Sequence, residues 1–170
     1  DIDDNNDNIT QMFYGLEDNR YIITAIDFSE EIIVTERPWY VKAKANGKIT
    51  YTDTYIDIVT NKPVITVAIP IYDADDLLVG VLGADVEILT ITNFINSFIE
   101  EDKGYSFLVD GSKNVIGHPS LVNGFDGLIS AEDLDIPLES FDQAVGVTGY
   151  IRSNGVFGKV AYEYIKGSSI

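Results

Sequence analysis

Two long apolar segments joined by a short acidic turn constrain the fold of this chain more than any other feature. Residues 64–72 and 77–86 are rich in Val and Ile, and the turn Asp73-Ala74-Asp75-Asp76 separates them. Val and Ile favour strands, and so short a connection lets two neighbouring strands pair antiparallel. The sequence therefore predicts a β-hairpin at the centre of an antiparallel sheet.

A second hairpin and a short helix are predicted before this central hairpin. The hairpin has strands at 11–16 and 20–26 around a polar turn. The helix is predicted at 37–45, because Pro38 suits the first helical turn and Gly47 can adopt the left-handed conformation that ends a helix.

A longer amphipathic helix is predicted after the central hairpin. Residues 87–99 repeat apolar side chains with a helical period along one face. This stripe consists of Ile88, Ile91, Ile95, Phe98 and Ile99, with Phe94 at its edge. The order of elements then starts again, and strands are predicted at 105–110, 115–118, 147–152 and 156–164.

The repeated order of elements favours an α+β fold of two modules in tandem, each an antiparallel sheet with flanking helices. We expect the first module at 1–86, a connector helix at 87–102 and the second module at 103–170. Residues 1–8 are acidic and amide-rich, so they predict little structure. We expect the last strand of the second module to be truncated at the C-terminus.

The composition excludes several classes of partner. The 28 acidic and 11 basic residues give a formal net charge of -17, which repels nucleic acids and anionic lipids. With no cysteine and a single histidine, neither a disulfide nor a zinc site is expected, and no cofactor or metal is predicted. No apolar run reaches the roughly 18 residues of a membrane span, so we expect a soluble domain. A domain that lies between two membrane spans of a longer protein fits this expectation.

Recognisable catalytic groupings are missing from the sequence. His118 has no second histidine or clustered carboxylate to support it, and Ser112 and Ser120 lie in no motif that supplies a base. We therefore expect a protein that is not an enzyme.

The cluster of Arg37, Trp39 and Tyr40 is the most informative motif for function. A guanidinium offers two parallel donors to a carboxylate, the indole N–H adds a third, and free N–H groups at a helix start favour an anion. An Arg stacked on a Trp for purely structural reasons fits the same spacing. Both interpretations remain open from the residues alone.

Asp85 is a second candidate site residue, because it ends the apolar run of the second long strand. A carboxylate there needs hydrogen-bond donors or a cation, and a ligand ammonium would serve. The carboxylate of Asp85 would equally serve as a cap for the helix that follows. Tyr55 lies in the strand after the first helix, and Asp53 and Asp57 flank it on one face as a candidate pocket rim.

As an ordered set, these motifs resemble a double Cache (dCache_1) domain, the extracellular tandem of PAS-like modules found in prokaryotic chemoreceptors and sensor histidine kinases. The segment Arg37-Pro38-Trp39-Tyr40 and residues 51–55, 63–72 and 80–85 are similar to the membrane-distal half. Residues 107–110 and 114–119 resemble the membrane-proximal half. The resemblance covers nearly the whole chain.

The resemblance implies a set of ligand-binding residues. In amino-acid-binding members of the family, the ligand carboxylate is held by an Arg and a Trp, and its ammonium by two tyrosines and an Asp. These residues correspond here to Arg37, Trp39, Tyr40, Tyr55 and Asp85. The family also has a tyrosine five positions before the Arg, where this chain has Ile32.

The function implied by the resemblance is that of a sensor. It implies an extracytoplasmic domain of a membrane-anchored receptor that binds a small amino-acid-like molecule and passes the signal across the membrane. A homodimer in the full receptor is compatible with this role. A sensor for a carboxylate, an amine or a betaine-like ligand and an extracellular interaction module that binds no ligand remain alternatives.

Overall fold

The computed structural model describes residues 9–24, 31–97, 104–121, 127–140, 145–151 and 157–165. Within them the chain is α+β with antiparallel sheets and few helices, as predicted. Six predicted features lie partly or wholly outside the described residues. They are the lead-in at 1–8, the last two residues of the strand predicted at 20–26, residues 98–102 of the connector helix, residue 152 of the strand predicted at 147–152, residue 156 of the strand predicted at 156–164 and the C-terminal residues 166–170.

The first half of the chain forms a six-stranded antiparallel sheet. Its strands are β1 (Gln11–Leu16), β2 (Tyr21–Ile23), β3 (Thr50–Tyr51), β4 (Tyr55–Ile56), β5 (Pro63–Tyr72) and β6 (Leu78–Glu87). They are ordered β2-β1-β6-β5-β3, and β4 also pairs with β5. Both predicted hairpins are confirmed, and the central one is displaced by only one residue at three of its strand ends.

One helix, α1 (Pro38–Asn46), covers a face of this sheet. It begins at Pro38 and ends at Gly47, whose φ of 63° is the left-handed conformation predicted from the sequence. A short 3₁₀ turn, Val34–Glu36, leads into it and leaves Arg37 as the residue immediately before the helix. Trp39 is buried towards the sheet.

The core beneath α1 depends on a missing side chain. The rings of Phe13 and Trp39 pack with centroids 4.6 Å apart. A Cβ on Gly83 would lie 2.1 Å from the Phe13 ring, closer than any side chain tolerates. Glycine at position 83 therefore gives the Phe13 ring its place, and that ring supports Trp39.

A row of polar residues crosses the face of the sheet that α1 covers, two residues along β1 and β6 from Phe13 and Gly83. Gln11 on β1 lies opposite Asp85 on β6, and Asp85 lies opposite Thr66 on β5. All three are buried. Directly paired residues of an antiparallel sheet point to the same face, so the row brings three distant parts of the sequence together.

The second helix, α2 (Ile88–Asn96), follows β6 directly, and its described part confirms the helix predicted at this place. Ile88, Thr92 and Ile95 are buried, whereas Phe94 is 65% exposed. The helix contacts β5 and β6 in the first half and the Val115–Gly117 strand in the second.

The second half contains two separate hairpins among its described residues. Its strands are β7 (Leu108–Val109), β8 (Val115–Gly117), β9 (Val145–Ile151) and β10 (Phe157–Glu163). The first two strands pair with each other and so do the last two, but no pairing joins the hairpins in the part that the structure describes. A separate apolar cluster of Val115, Leu121, Ala131 and Ile136 lies beside β7 and β8.

Helices long and apolar enough to cross a membrane do not occur among the described residues.

Candidate functional site

A cavity opens between the sheet and the segment that leads into α1. It has a volume of about 380 Å³, counting the space open to solvent. Part of its wall is apolar and is formed by Ile23, Ile32, Val34, Ile58 and Val59. The polar side chains at its surface include Gln11, Arg37, Tyr55 and Asp57. An apolar cavity with a few convergent polar groups is typical of a small-molecule site.

Arg37 supplies the positive charge of the cavity. It precedes α1, and its Cζ lies 5.9 Å from the centre of the Tyr55 ring. The guanidinium therefore faces Tyr55 rather than Trp39, which packs on Phe13. Within the described residues no hydrogen bond or ion pair occupies the guanidinium. Its donors are free to bind an anion, in keeping with the first of the two interpretations of the Arg-Trp motif.

Asp85 and Tyr55 are linked through Thr66. The Thr66 hydroxyl donates to Oδ1 of Asp85 at 2.6 Å, and it lies 2.7 Å from the Tyr55 hydroxyl. Because the Thr66 hydroxyl has a single hydrogen, Tyr55 donates in the second bond. Tyr55 also lies 3.5 Å from the same carboxylate oxygen. The alternative role of Asp85 as a helix cap is wrong, since the cap residue of α2 is Glu87.

The other carboxylate oxygen of Asp85, Oδ2, is buried without a hydrogen-bond donor among the described residues. The residue is only 1% exposed, so water cannot supply the hydrogen bond that the protein does not make to this oxygen. Burial raises the pKa of Asp85 to about 7, with a further rise from the charge of Asp57. The bond from Thr66 lowers this pKa, but it does not offset the burial. A cation placed against Oδ2 would restore the ionised form.

Asp57 contributes more directly to the cavity than its predicted position at the rim suggests. It is 4% exposed and is part of the cavity lining. Its Oδ2 accepts from the backbone N–H and the hydroxyl of Thr60, both at 2.8 Å. Its Oδ1 has no such bond within the described residues. Asp57 thus places a carboxylate in the lining together with Arg37, and Asp85 adjoins the cavity through its contact with Tyr55.

Two other predicted residues lie elsewhere. The Tyr40 hydroxyl donates to Glu17 at 2.6 Å, and this carboxylate also binds Lys44. Successive helical residues point about 100° apart, so Tyr40 does not share the direction of Trp39. Asp53 accepts from Ser112 at 2.9 Å and lies 3.6 Å from Lys42. A part in ligand binding for Tyr40 or Asp53 stays a prediction.

The structure adds residues that sequence reasoning missed. Gln11 reaches the cavity because β1 pairs in register with β6, and no local motif signals this position. Ile32 lines the cavity at the position where the family pattern has a tyrosine. Groups of three or more metal-binding side chains are absent from the described ranges.

Similarity to known proteins covers this site and most of the chain. Residues 2–93 match the family model described as methyl-accepting chemotaxis protein-like, first PDC sensor domain. Methyl-accepting chemotaxis protein McpC of Bacillus subtilis (strain 168) is 31% identical over 121 residues, 70% of this chain and 18% of that protein. Methyl-accepting chemotaxis protein PctB of Pseudomonas aeruginosa is 35% identical over 83 residues, 49% of this chain and 13% of that protein. The chain thus spans less than a fifth of either relative.

Solved structures show the same fold. The ligand-binding domain of the Pseudomonas aeruginosa PAO1 amino acid chemoreceptor PctB, in complex with L-Gln, aligns with a TM-score of 0.73 and 25% identity. The alignment covers 95% of this chain and 64% of that domain.

Proposed function

Since this chain belongs to the methyl-accepting chemotaxis protein-like family of first PDC sensor domains, we propose that it is the extracytoplasmic sensor domain of a membrane-anchored chemoreceptor. We propose that it binds a small α-amino acid as a zwitterion, without catalysing a reaction. The similar domain with bound L-Gln supports this ligand class. The observation that carries the proposal is that Tyr55 of the cavity contacts two groups of opposite charge: the guanidinium of Arg37, 5.9 Å from its ring centre, and the carboxylate of Asp85, whose Oδ2 is buried and unpartnered.

The ligand would lie between two opposite charges. Arg37 would bind the ligand carboxylate with its two parallel donors, and the indole N–H of Trp39 would add a third. Asp85 and Asp57 would bind the ammonium, with Tyr55 between the two ends. Tyr40 is left out of this set because Glu17 already accepts its hydroxyl hydrogen.

The proposed division of the chain is a binding module at 1–86, a connector helix from residue 87 to residue 102 and a second module at 103–170. Its support is the presence of one apolar cluster in each half and of a helix, α2, that contacts both. We propose that ligand binding in the first module reaches the second through this helix. A homodimer of the whole receptor is compatible with this arrangement.

The test is a thermal-shift screen of the 170-residue chain against the L-amino acids, glycine betaine, simple amines and small carboxylates. A ligand at a hundred times its Kd adds about 2.7 kcal/mol, which raises Tm by roughly 5 to 11 °C. We expect a shift with at least one amino acid that is lost in both Arg37→Ala and Asp85→Asn. Asp18→Asn is the matched control, a surface carboxylate that pairs with Arg20 outside the cavity lining and should keep the shift.

Other ligand classes would give different patterns. An amine would depend on Asp85 but not on Arg37, and a simple carboxylate on Arg37 but not on Asp85. A folded chain, freed of carried-over ligand, that responds to none of these compounds would exclude the proposed sensor role for this site.

A further inference from the structure

We propose that Gln11 is a specificity-determining residue, which offers a neutral acceptor to the ligand ammonium beside Asp85 and so selects primary ammonium groups over N-methylated ones. This inference rests on the proposed function, because it concerns the same cavity.

The pairing of β1 with β6 places Gln11 beside Asp85. Gln11 lies directly opposite Asp85, and such pairs have Cβ atoms about 4.5 to 5.5 Å apart on one face. Gln11 is 5% exposed and lines the cavity. A ligand group that approaches Asp85 therefore also meets the side chain of Gln11.

The amide of Gln11 has no structural task that accounts for its burial. Within the described residues no hydrogen bond engages it. A structural amide would have donated to the neighbouring carboxylate, yet Oδ2 of Asp85 accepts no bond. The side chain is 5% exposed and lines the cavity, so water reaches its amide little and a polar partner would stabilise it. A bound polar ligand would provide that partner.

The chemistry of the ammonium explains the preference. A primary ammonium carries three N–H donors, and the free acceptors in or next to the cavity are the amide oxygen of Gln11, Oδ1 of Asp57 and Oδ2 of Asp85. Each N-methyl group removes one donor and places an apolar group against an acceptor. A fully methylated ammonium keeps its charge attraction to the carboxylates but can make no hydrogen bond to Gln11.

The experiment is calorimetric titration of the chain with L-alanine, N-methyl-L-alanine and N,N,N-trimethyl-L-alanine. If L-alanine is not the amino acid that binds, the same series is made on L-glutamine. We compare the wild type with Gln11→Met, which keeps the length of the side chain without the amide. Gln11→Asn, which withdraws the amide by one carbon, is the second variant in case Gln11→Met fails to fold.

We expect Gln11→Met to weaken the binding of the primary amine by about tenfold, the loss of one hydrogen bond to a charged group. The Kd of the trimethylated ligand should be unchanged. The ratio of the Kd of the trimethylated ligand to that of the primary amine therefore falls. Thr50→Val is the control: Thr50 is another buried polar residue of this sheet, and it binds Asn46 rather than the cavity. It should lower Tm and leave the ratio as it is.

The two proposals fail in different ways. A wild type that binds no amino acid overturns the proposed function and this inference together. A wild type that binds amino acids, with Gln11 variants that weaken all three ligands equally or none of them, overturns the role of Gln11 alone.

Discussion

The backbone N–H of Thr54 donates to Oδ2 of Asp110 at 2.7 Å, across 56 positions of sequence. Thr54 immediately precedes Tyr55 of the cavity, whereas Asp110 begins the turn between β7 and β8. The same carboxylate accepts from the backbone N–H groups of Ser112 and Asn114. One side chain of the second half thus holds the chain segment that carries a cavity residue of the first.

Replacing Asp110 should release that segment. In Asp110→Ala the N–H of Thr54 loses its acceptor, and we expect the free energy of unfolding to fall by about 2 kcal/mol. Hydrogen exchange of the Thr54 amide should become faster. Asp18→Ala is the control, because Asp18 pairs with Arg20 at the surface and such pairs contribute little. Unchanged exchange at Thr54 would mean that the bond does not form in solution.

Amino-acid affinity should depend on pH through Asp85. Only the ionised carboxylate attracts an ammonium, and burial raises the pKa of Asp85 to about 7. For such a group, Kd at pH 6 should be roughly tenfold higher than its limiting value at alkaline pH. α-Amino acids do not titrate between pH 5 and 8, so calorimetry in that range reports the protein group. A flat profile would exclude direct binding to Asp85, and Asp18→Asn should retain the wild-type profile.

The ligand-free protein should respond to pH in the opposite direction. Because the folded pKa of Asp85 lies above the usual 3.8 of an aspartate, the folded state holds the proton over a range in which the unfolded chain has released it. This contribution to stability is present below pH 4 and is lost as pH rises through 7. The side chain of Asp85→Asn cannot ionise. At pH 8 the free energy of unfolding of this variant should therefore exceed that of the wild type by on the order of 2 kcal/mol. Urea unfolding at pH 5 and pH 8 measures the difference, which should shrink at the lower pH.

Tyr40→Phe separates stability from binding. The Tyr40 hydroxyl donates to Glu17, a bond that contributes to the lowered pKa of Glu17. Its removal should cost about 1 kcal/mol of unfolding free energy. We expect the amino-acid Kd to change by less than about twofold, since the lost hydrogen bond lies outside the cavity. A large rise in Kd at unchanged stability would instead support the role that the family resemblance implies for Tyr40.

Gly83→Ala should damage the site without touching the ligand. The new Cβ would meet the Phe13 ring, which packs against Trp39 of the cavity lining. We expect a loss of about 1 to 3 kcal/mol, typical of overpacking, together with weaker ligand binding. A smaller side chain in the double variant Phe13→Leu with Gly83→Ala should recover part of the stability. Additive losses in this cycle would show that the two positions do not interact.

The sequence predicted the local elements well because their signals are local. Pro38 and Gly47 delimit α1, and the apolar runs of β5 and β6 show their strand character in composition alone. The second half was harder to predict. Its strands β7 and β8 are two and three residues long, and so short a segment carries little periodicity.

The site was predicted in part, for a similar reason. Arg37, Trp39 and Tyr55 line one cavity, and Asp85 contacts Tyr55, but their part in ligand binding stays a prediction. The direction of Tyr40 depends on the rotation of α1 against the sheet, which no motif encodes. Gln11 could be found only from the pairing of β1 with β6, a contact between residues 74 positions apart in the chain.

The alignment of Gln11, Asp85 and Thr66 has a consequence for insertions and deletions. Because side chains alternate between the faces of a strand, a shift of one residue in the pairing would send Asp85 to the opposite face. The connection between β5 and β6 sets that pairing, so its length is part of the specification of the site. Adding one residue there would erase the binding chemistry while leaving every binding residue in the sequence.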